Sequence, residues 1–332
     1  MTVLPWLVGA GLLLGCSSPT EPARAQFMVF GTQVEVLIRS SDRPRVEAAL
    51  RELGEDFQRM HSDWHPWEPG ALSDLNAALA AGVQASPGPD LLAMIRDAQR
   101  FEQASLGHFN AAIGGLIALW GFHTSSYPIH SPPPDQAQID QWLDQSPSTL
   151  DIDIRDHRVD SGNPAVRLDF SGLAKGHAAD RACGRLVALG LGDALINLGG
   201  DVMICGAGEQ SWSIAISDGR RGVFEVIELS GPVGVFSSGT AQRWGEWQDG
   251  RYAHLLNPST GRALDHFVQA TVIHRDPALA DAAATALAVA GPSDWRSVAE
   301  SMGVTQVLVL GASGPVGISA AMADRFNAST DS

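Results

Sequence analysis

The spacing of hydrophobic and polar residues predicts both helices and strands along this chain. Apolar residues recur at helical spacing behind Pro44, and again over about residues 89–105, which indicates two amphipathic helices. An alanine-rich helix is predicted over residues 277–290. Alternating or continuous apolar runs predict strands instead. These runs cover residues 30–36, 194–197, 212–217, 224–229, 268–274 and 306–310.

The order of these elements favours an α+β fold. Strands and helices are interleaved, but without the strict βαβ rhythm of a doubly wound sheet. Residues 124–149 are rich in Pro, Ser, Asp and Gln and predict a loop or an insertion. The sequence shows no internal repeat and no domain boundary after Phe27. We therefore expect a single mixed α/β catalytic domain over residues 27–326.

The first 15 residues are almost wholly apolar, and they end at Leu13-Leu14-Gly15-Cys16. This stretch is too short to span a bilayer and is typical of the hydrophobic region of a signal peptide. Its end is similar to a bacterial lipobox, in which Cys16 carries the lipid anchor. No Lys or Arg precedes Cys16, so a weak signal peptide or a misassigned start codon stays open as an alternative.

From this terminus we expect a lipoprotein-type signal peptide over residues 1–15 and a tether over residues 16–26. The mature chain is expected to be exported and held by its lipid at the periplasmic face of a bacterial membrane. A single acyl chain binds a membrane only weakly, so stable attachment needs the several chains that a lipoprotein carries.

Composition excludes some classes of function. The 332 residues include 22 basic and 37 acidic side chains, so the net charge of −15 offers no basic face for nucleic acid. A hydrophobic fraction of 45% indicates an ordered globular protein. Cys16, Cys183 and Cys205 are too few for a disulfide framework. A cysteine nucleophile is not expected, because no residue near Cys183 or Cys205 in the sequence would lower a thiol pKa.

Five segments rich in glycine, hydroxyl and carboxylate residues carry the candidate chemistry. Asp281 and Thr285 are spaced by four residues on the alanine-rich helix, so both oxygens leave one helix face. Hard oxygen ligands of this kind suit Mg²⁺. The alternative is a structural pair, in which the carboxylate serves the helix dipole and the hydroxyl bonds the preceding turn. The other four segments are residues 168–177, 197–201, 237–240 and 254–261.

Lys175 and His254 are the remaining candidates for chemistry. Lys175 is the only lysine, since the other 21 of the 22 basic residues are arginines, and it lies between Gly172 and Gly176. A compact ammonium at this place suits a phosphate or a flavin edge, and the alternative is that its uniqueness is chance. His254 precedes an Asn-Pro-Ser-Thr-Gly turn and suits a general base. Among ten histidines, however, a lone one is more often structural.

Taken together and in order, these segments resemble the ApbE family of FAD:protein FMN transferases. The match runs from about Phe27 to about Leu310, and each motif is weak alone but specific in this order. The matching stretches are Phe30-Gly31-Thr32 for the family's M-G-T, Trp64, residues 107–122, D-x-S-G-x-A-K-G-x-A-x-D at 169–180, N-L-G-G-D at 197–201, S-G at 238–239, H-x-x-N/D-P-x-T-G at 254–261 and D-A-x-A-T at 281–285. The resemblance implies a T-fold-like mixed α/β domain.

The resemblance also implies a reaction. FAD and a Thr or Ser hydroxyl of an exported flavoprotein subunit would give an FMN–protein phosphoester and AMP, with Mg²⁺ as cofactor. Acceptors in the family include subunits of Na⁺-translocating and Rnf-like redox complexes. Two other hypotheses remain: a pyrophosphatase that splits FAD into FMN and AMP, and a non-enzymatic flavin-binding lipoprotein. The sequence does not separate transferase from hydrolase, because that depends on how well the site excludes water.

Site roles follow from the resemblance by position. The family pattern places Mg²⁺ on the backbone carbonyl of Gly172 together with Asp281 and Thr285. His254 falls where the family's proposed base lies, and Lys175 and Asp281 complete the expected catalytic set. FAD contacts are expected at Phe30, Trp64, His108, Phe109, Asn110, Asp169, Lys175 and Leu255. The indole of Trp64 suits ring stacking, with a plain core role as the alternative.

Two of these positions depart from the family pattern. Phe30 replaces the usual Met, which is an exchange of one apolar side chain for another. Asn110 stands where the family commonly has Asp, and an amide carries no charge. We therefore expect an altered ribose or adenine contact at Asn110.

Overall fold

The structure, a computed structural model, describes residues 21–208, 210–220, 222–248 and 250–330. Its strands are β1 (Ala23–Val29), β2 (Thr32–Ile38), β3 (Ile152–Arg155), β4 (Arg158–Ser161), β5 (Ala194–Leu198), β6 (Asp201–Ile204), β7 (Trp212–Ser217), β8 (Val223–Leu229), β9 (Val233–Gly239), β10 (Trp244–Trp247), β11 (Gly250–Ala253), β12 (Leu256–Asn257), β13 (Arg262–Ala263), β14 (Val268–His274), β15 (Gln306–Gly311) and β16 (Gly314–Ile318). Its helices are α1 (Arg43–Asp63), α2 (Ala71–Ala80), α3 (Pro89–Ala104), α4 (Gly114–Leu119), α5 (Gln136–Leu143), α6 (Ala174–Ala188), α7 (Pro277–Met302) and α8 (Ala320–Thr330).

An eight-stranded antiparallel sheet with the order β1-β2-β5-β6-β9-β14-β15-β16 organises the fold. The turns β1–β2 and β5–β6 lie at the same end of this sheet, where Val34 pairs with Leu198. Strand β9 also ends there: near its end, the backbone N–H of Ser237 donates a hydrogen bond to the side chain of Asp201 at the start of β6. The sheet thus brings the β1–β2 turn, the β5–β6 turn and the end of β9 together at one end of its strands.

The two faces of the sheet bury different partners. Alternate strand residues such as Val36 and Ile196 pack with α1, α3, α6 and α7 in the main hydrophobic core. Their neighbours, such as Leu195 and Ile204, face the β7–β8 hairpin and α8 in a second core. Four helices cover one face of the antiparallel sheet, and a hairpin with one helix covers the other, so the α+β prediction is confirmed.

Helices α1 and α7 follow their sequence signals closely. Helix α1 begins after Asp42, whose carboxylate accepts a hydrogen bond from the Arg45 N–H at 3.2 Å. Helix α7 begins in the same way after Asp276, with a 3.0 Å bond from the Leu279 N–H. Gly291 has non-helical angles and precedes Pro292, so α7 kinks where the sequence predicted its end.

The beginning of the domain differs from its prediction. The expected tether extends to residue 26, but β1 already starts at Ala23 and pairs with β2 along its whole length. Phe30 and Gly31 are not strand residues but form the turn, with φ of 55° and 66°. Ala23 and Phe27 pack against the core and alternate with exposed residues of β1. The predicted strand began too late because it left out this alternation. The proposed signal peptide and Cys16 lie outside the described residues.

Helices α2 and α5 are among the elements that the sequence analysis did not predict. Helix α2 packs against the core through Leu72, Leu75 and Leu79. Helix α5 lies inside the segment predicted as a loop, and Asp135 caps it by accepting from the Gln138 N–H at 2.9 Å. The polar composition of residues 124–149 concealed this short amphipathic helix. Among the described residues, no helix combines the length and hydropathy that a membrane span requires.

Cys183 and Cys205 form a disulfide, with their Cα atoms 4.8 Å apart. This pairing was not predictable from the sequence, because the contact arises only from the packing of α6 against the sheet. Cys183 lies on α6 and Cys205 directly follows β6, and both are buried. The bond therefore ties this helix to the strand beside it.

Removing the disulfide is expected to lower the free energy of unfolding by about 3 kcal/mol, since the unfolded chain regains the freedom of the closed loop. The double variant Cys183→Ala, Cys205→Ala can be compared with the wild type by urea denaturation without reductant. Reductant should move the wild type to the variant's midpoint and leave the variant unchanged. Equal midpoints without reductant would contradict the prediction.

Candidate active site

A cavity of ≈ 710 Å³ opens at this end of the sheet, where β1, β5 and β9 meet the start of α6 and the middle of α7. It unites residues more than 250 positions apart, such as Phe30 and Thr285. All of the sequence-predicted site residues line it: Phe30, Trp64, His108, Phe109, Asn110, Asp169, Gly172, Lys175, His254, Leu255, Asp281 and Thr285. Their proximity is a structural finding, whereas their individual roles stay predictions.

The start of α6 touches α7 directly. The backbone N–H of Gly176 donates to Oδ2 of Asp281 at 2.9 Å. A Cβ atom at Gly176 would lie 2.3 Å from the carbonyl oxygen of Pro277, so only glycine permits this approach. The alanine-rich helix and the glycine-flanked turn therefore share one wall of the cavity.

Thr285 and Gly172 adjoin each other on this wall. A Cβ atom at Gly172 would lie 3.4 Å from Oγ1 of Thr285, and that hydroxyl is 2.9 Å from Oγ of Ser238. Asp281 is 3% exposed, and burial raises its pKa to about 6, although the ammonium of Lys175 opposes the shift. A negative charge here is costly unless a cation accompanies it.

These residues fit a magnesium ion by the chemistry of their donors. A buried carboxylate, a hydroxyl and a main-chain carbonyl are hard oxygen ligands, and Mg²⁺ commonly keeps waters and substrate phosphates as its other ligands. Among the described residues, no group of three or more His, Cys, Asp or Glu side chains could hold a metal ion. The candidate set therefore depends on the single carboxylate of Asp281.

Lys175 forms an ion pair with Asp201, a residue that the sequence analysis did not single out. Asp201 is 3% exposed, and its Oδ1 accepts from the N–H of Ser237 at 2.7 Å. Burial favours the neutral amine, but the charges of Asp201 and Asp281 together hold the pKa of Lys175 above its usual value. Lys175 is therefore an ammonium, and the carboxylate of Asp201 on β6 balances its charge.

His254 presents a neutral imidazole to the cavity. Its Nδ1 lies 3.1 Å from the carbonyl oxygen of Arg243, which can only accept, so Nδ1 carries the hydrogen and Nε2 keeps its lone pair. Burial lowers the pKa of His254 to about 4, and the charges of Arg243 and Lys175 act in the same direction. The ring is thus unprotonated near neutral pH, as a general base must be.

This lowered pKa predicts a pH-dependent stability. The unfolded chain takes up a proton at His254 below about pH 6.5, whereas the folded chain does so only near pH 4. The stability of the wild type should therefore fall, relative to a His254→Gln variant, as the pH is lowered from 6.5 towards 4. Urea denaturation of both proteins at several pH values measures the difference. A constant difference over this range would contradict a lowered pKa.

Arg243 is a further cavity residue that sequence reasoning missed. Its guanidinium lies 5.6 Å from the ring centre of Tyr127, and its Nη2 would be 3.2 Å from a Cβ atom at Gly31. Within the described part of the chain, no carboxylate forms an ion pair with it. Arg243 lies between β9 and β10 and belongs to no periodic pattern, so no signal in the sequence marked it. It is a cation whose charge is available to a ligand.

Some predicted FAD contacts already use their polar atoms within the protein. The amide of Asn110 donates to the carbonyl of Pro147 at 2.9 Å and accepts from the N–H of Ala112 at 2.7 Å. Asp169 accepts from the N–H of Ser171 at 2.9 Å and contacts His123 at 3.3 Å. Both side chains therefore shape the cavity wall, in addition to any contact with a ligand.

Aromatic rings form part of the cavity lining. Trp64 is only 6% exposed and stacks against Phe30, with ring centres 6.1 Å apart, so much of its surface belongs to the core. Trp67, which the sequence analysis passed over, is 36% exposed and stacks on His123 at 4.8 Å. Trp67 therefore presents more ring surface to an incoming molecule than Trp64 does.

Comparison with known proteins decides the family. A protein-family sequence model with the description "ApbE family" matches residues 30–309, which is most of the chain. The chain belongs to the ApbE family. This confirms the resemblance drawn from the ordered motifs, and it places the chain in a family of enzymes whose curated relatives are transferases.

Three relatives of this ApbE-family chain carry the name FAD:protein FMN transferase. The one from Rhodobacter capsulatus is 37% identical over 306 residues, which cover 91% of this chain but 58% of that protein. The chain thus spans little more than half of that relative. Those from Haemophilus influenzae and Vibrio cholerae are 26% and 25% identical, covering 80% and 92% of this chain and 77% and 93% of theirs.

Solved structures show the same fold. An ApbE protein of Thermotoga maritima matches with a TM-score of 0.81 and 27% identity, covering 92% of this chain and 99% of that one. The apo form of a flavinyl transferase ApbE from Pseudomonas stutzeri matches with a TM-score of 0.78, and the match covers 93% and 98% of the two chains. At 24% identity this second likeness supports the fold alone.

Proposed function

We propose that this chain is an FAD:protein FMN transferase that uses Mg²⁺ and releases AMP. One observation carries the proposal: Asp281, Thr285, Gly172, Lys175 and His254 line one cavity, although the chain separates them widely. The cavity volume of ≈ 710 Å³ lies in the range of small-molecule and cofactor sites. The names of the three relatives agree with the proposal.

The cavity supplies both kinds of surface that FAD needs. The rings of Phe30, Trp67 and Tyr127 line the cavity and suit the stacking of flavin or adenine. The charges of Arg243 and Lys175 suit the diphosphate. Because Asp201 already balances Lys175, Arg243 provides the larger share of uncompensated positive charge.

The proposed transfer forms a bond between the acceptor hydroxyl oxygen and the phosphorus of the FMN half. The bond from that phosphorus to the bridging oxygen breaks, and AMP leaves with the bridging oxygen. The hydroxyl proton moves to Nε2 of His254, which is neutral and has its lone pair available because Nδ1 is held by the Arg243 carbonyl.

Asp281, Thr285 and the carbonyl of Gly172 are the residues that would hold Mg²⁺. When bound, this ion supplies positive charge that stabilises the negative charge on the diphosphate during transfer. The chain's own contribution is to keep the Asp281 carboxylate fixed, through the N–H of Gly176, and to keep Thr285 oriented through Ser238.

We further propose that the chain acts after export, held to a membrane by a lipid on Cys16. The lipobox-like residues 13–16 support this, and so does the disulfide, since disulfides persist mainly in oxidising compartments. The acceptors proposed are flavoprotein subunits of Na⁺-translocating or Rnf-like complexes, which is the class that the family resemblance implies.

The test is to incubate the purified mature chain with FAD, Mg²⁺ and such a subunit. FMN on the acceptor, seen as fluorescence after denaturing electrophoresis, and an equal amount of free AMP are expected. An acceptor with its target Thr or Ser replaced by Ala is the matched control, and chelation of Mg²⁺ should stop both products. AMP without a labelled acceptor would favour the pyrophosphatase. Bound FAD with neither product would favour a flavin-binding protein.

A further inference from the structure

A second concave surface, a groove of ≈ 200 Å³, lies beside the active-site cavity. It crosses β1, β2 and β5 on the sheet face that points away from the helices. Its lining residues are Arg24, Gln26, Gln33, Glu35, Asn197, Gly199 and Gly200. Gly199 lines both the groove and the cavity, so the two surfaces are continuous.

The β7–β8 hairpin and α8 do not cover this corner of the sheet, where the side chains are polar. Elsewhere on the same face, apolar residues such as Leu195 and Ile204 are covered by the β7–β8 hairpin and α8. Met28 points to this face from β1, is 73% exposed and also lines the cavity. An exposed apolar side chain at the junction of the two surfaces offers a contact to a bound molecule.

Hydrogen-bonding groups in the groove remain available to a ligand. Glu35 is occupied, since it accepts from Arg24 and from Nε2 of Gln26 at 2.9 Å. Oδ1 of Asn197 accepts from the N–H of Gly200 at 2.8 Å. Within the described ranges, the whole side-chain amide of Gln33 and the amide nitrogen of Asn197 form no hydrogen bond. Such amides both donate and accept, as the main chain of an extended peptide does.

We propose that this groove binds an extended, polar segment of the acceptor protein and leads its Thr or Ser hydroxyl past Met28 into the cavity. The inference rests on the proposed function, and it adds where the protein substrate is recognised. Transfer to a protein requires a surface that runs into the cavity. The groove meets that requirement at Gly199.

The experiment is to fill the groove by Gln33→Trp. Gln33 is exposed on a strand, where Trp is well tolerated, and its side chain lines the groove but not the cavity. We expect the KM for the acceptor flavoprotein subunit to rise about tenfold, with kcat and the Kd for FAD within about twofold of wild type. Gln33→Asn, which keeps an amide, should lie closer to the wild type.

Ala215→Trp is the matched control, because Ala215 is also exposed on a strand but lines neither the groove nor the cavity. An unchanged acceptor KM in Gln33→Trp would overturn the inference, and so would an equal loss of FAD binding. A wild-type dimer that Gln33→Trp dissociates would assign the groove to a second copy of this chain instead. If the wild type labels no acceptor at all, the proposed function fails, and the groove's role fails with it.

Discussion

Asp281→Ala is expected to reduce Mg²⁺-dependent transfer by about a thousandfold or more. Asp281 is the only carboxylate in the candidate metal set, so its loss leaves a hydroxyl and a carbonyl, which are too weak to hold Mg²⁺. The measurement is the rate of AMP release and of acceptor labelling over a range of Mg²⁺ concentrations. Excess Mg²⁺ is not expected to restore the rate.

Glu300→Ala supplies the control for this variant. Glu300 is an exposed acidic residue on the same helix, α7, and it lines no part of the cavity. Its replacement should leave both the rate and its Mg²⁺ dependence unchanged. Turnover by Asp281→Ala near the wild-type rate would refute the assigned ligand set.

Lys175→Met is expected to abolish transfer and to lower the free energy of unfolding by about 3 kcal/mol. The variant leaves the carboxylate of Asp201 buried without its cation, which is a costly arrangement. Lys175→Arg keeps the charge but must fit a planar guanidinium into the place of an ammonium, so it should also impair transfer. Urea denaturation gives the stability, and AMP release gives the activity.

A double variant separates the two effects of Lys175. In Lys175→Met, Asp201→Asn no buried charge of the pair is left uncompensated, and the oxygen of the new amide could still accept from the N–H of Ser237 in place of the carboxylate. We expect this protein to regain most of the lost stability but none of the lost activity. Recovery of transfer together with stability would show that Lys175 is purely structural, and full activity of Lys175→Arg would show that an ammonium is not required.

Local patterns in the sequence predicted the parts of the fold that depend on local physics. Helices α1 and α3 bury an apolar face with the period of a helix, and β7 and β14 match their predicted bounds. The i, i+4 spacing of Asp281 and Thr285 likewise required only a helix to place both on one wall. Each of these features depends only on residues that are close together in the sequence.

Features that depend on tertiary contact were not predictable in this way. Lys175 and Asp201 are paired because α6 packs beside β6. The residues next to each of them in the sequence do not predict this pairing. The same packing joins Cys183 to Cys205. Arg243 follows the end of β9 in a short turn, so it has no periodicity to mark it. The resemblance to a family brought most cavity residues together, but it did not supply these partners.

The bond between α6 and the end of β6 also bears on how the protein is produced. A chain synthesised in a reducing cytosol would carry two thiols at positions 183 and 205, while secreted material would carry the bridge. Two lipid-free preparations of the same mature chain, one with the thiols and one with the bridge, would then melt at different temperatures. Intact mass spectrometry distinguishes them by two hydrogen atoms, and this check belongs before any comparison of their catalytic rates.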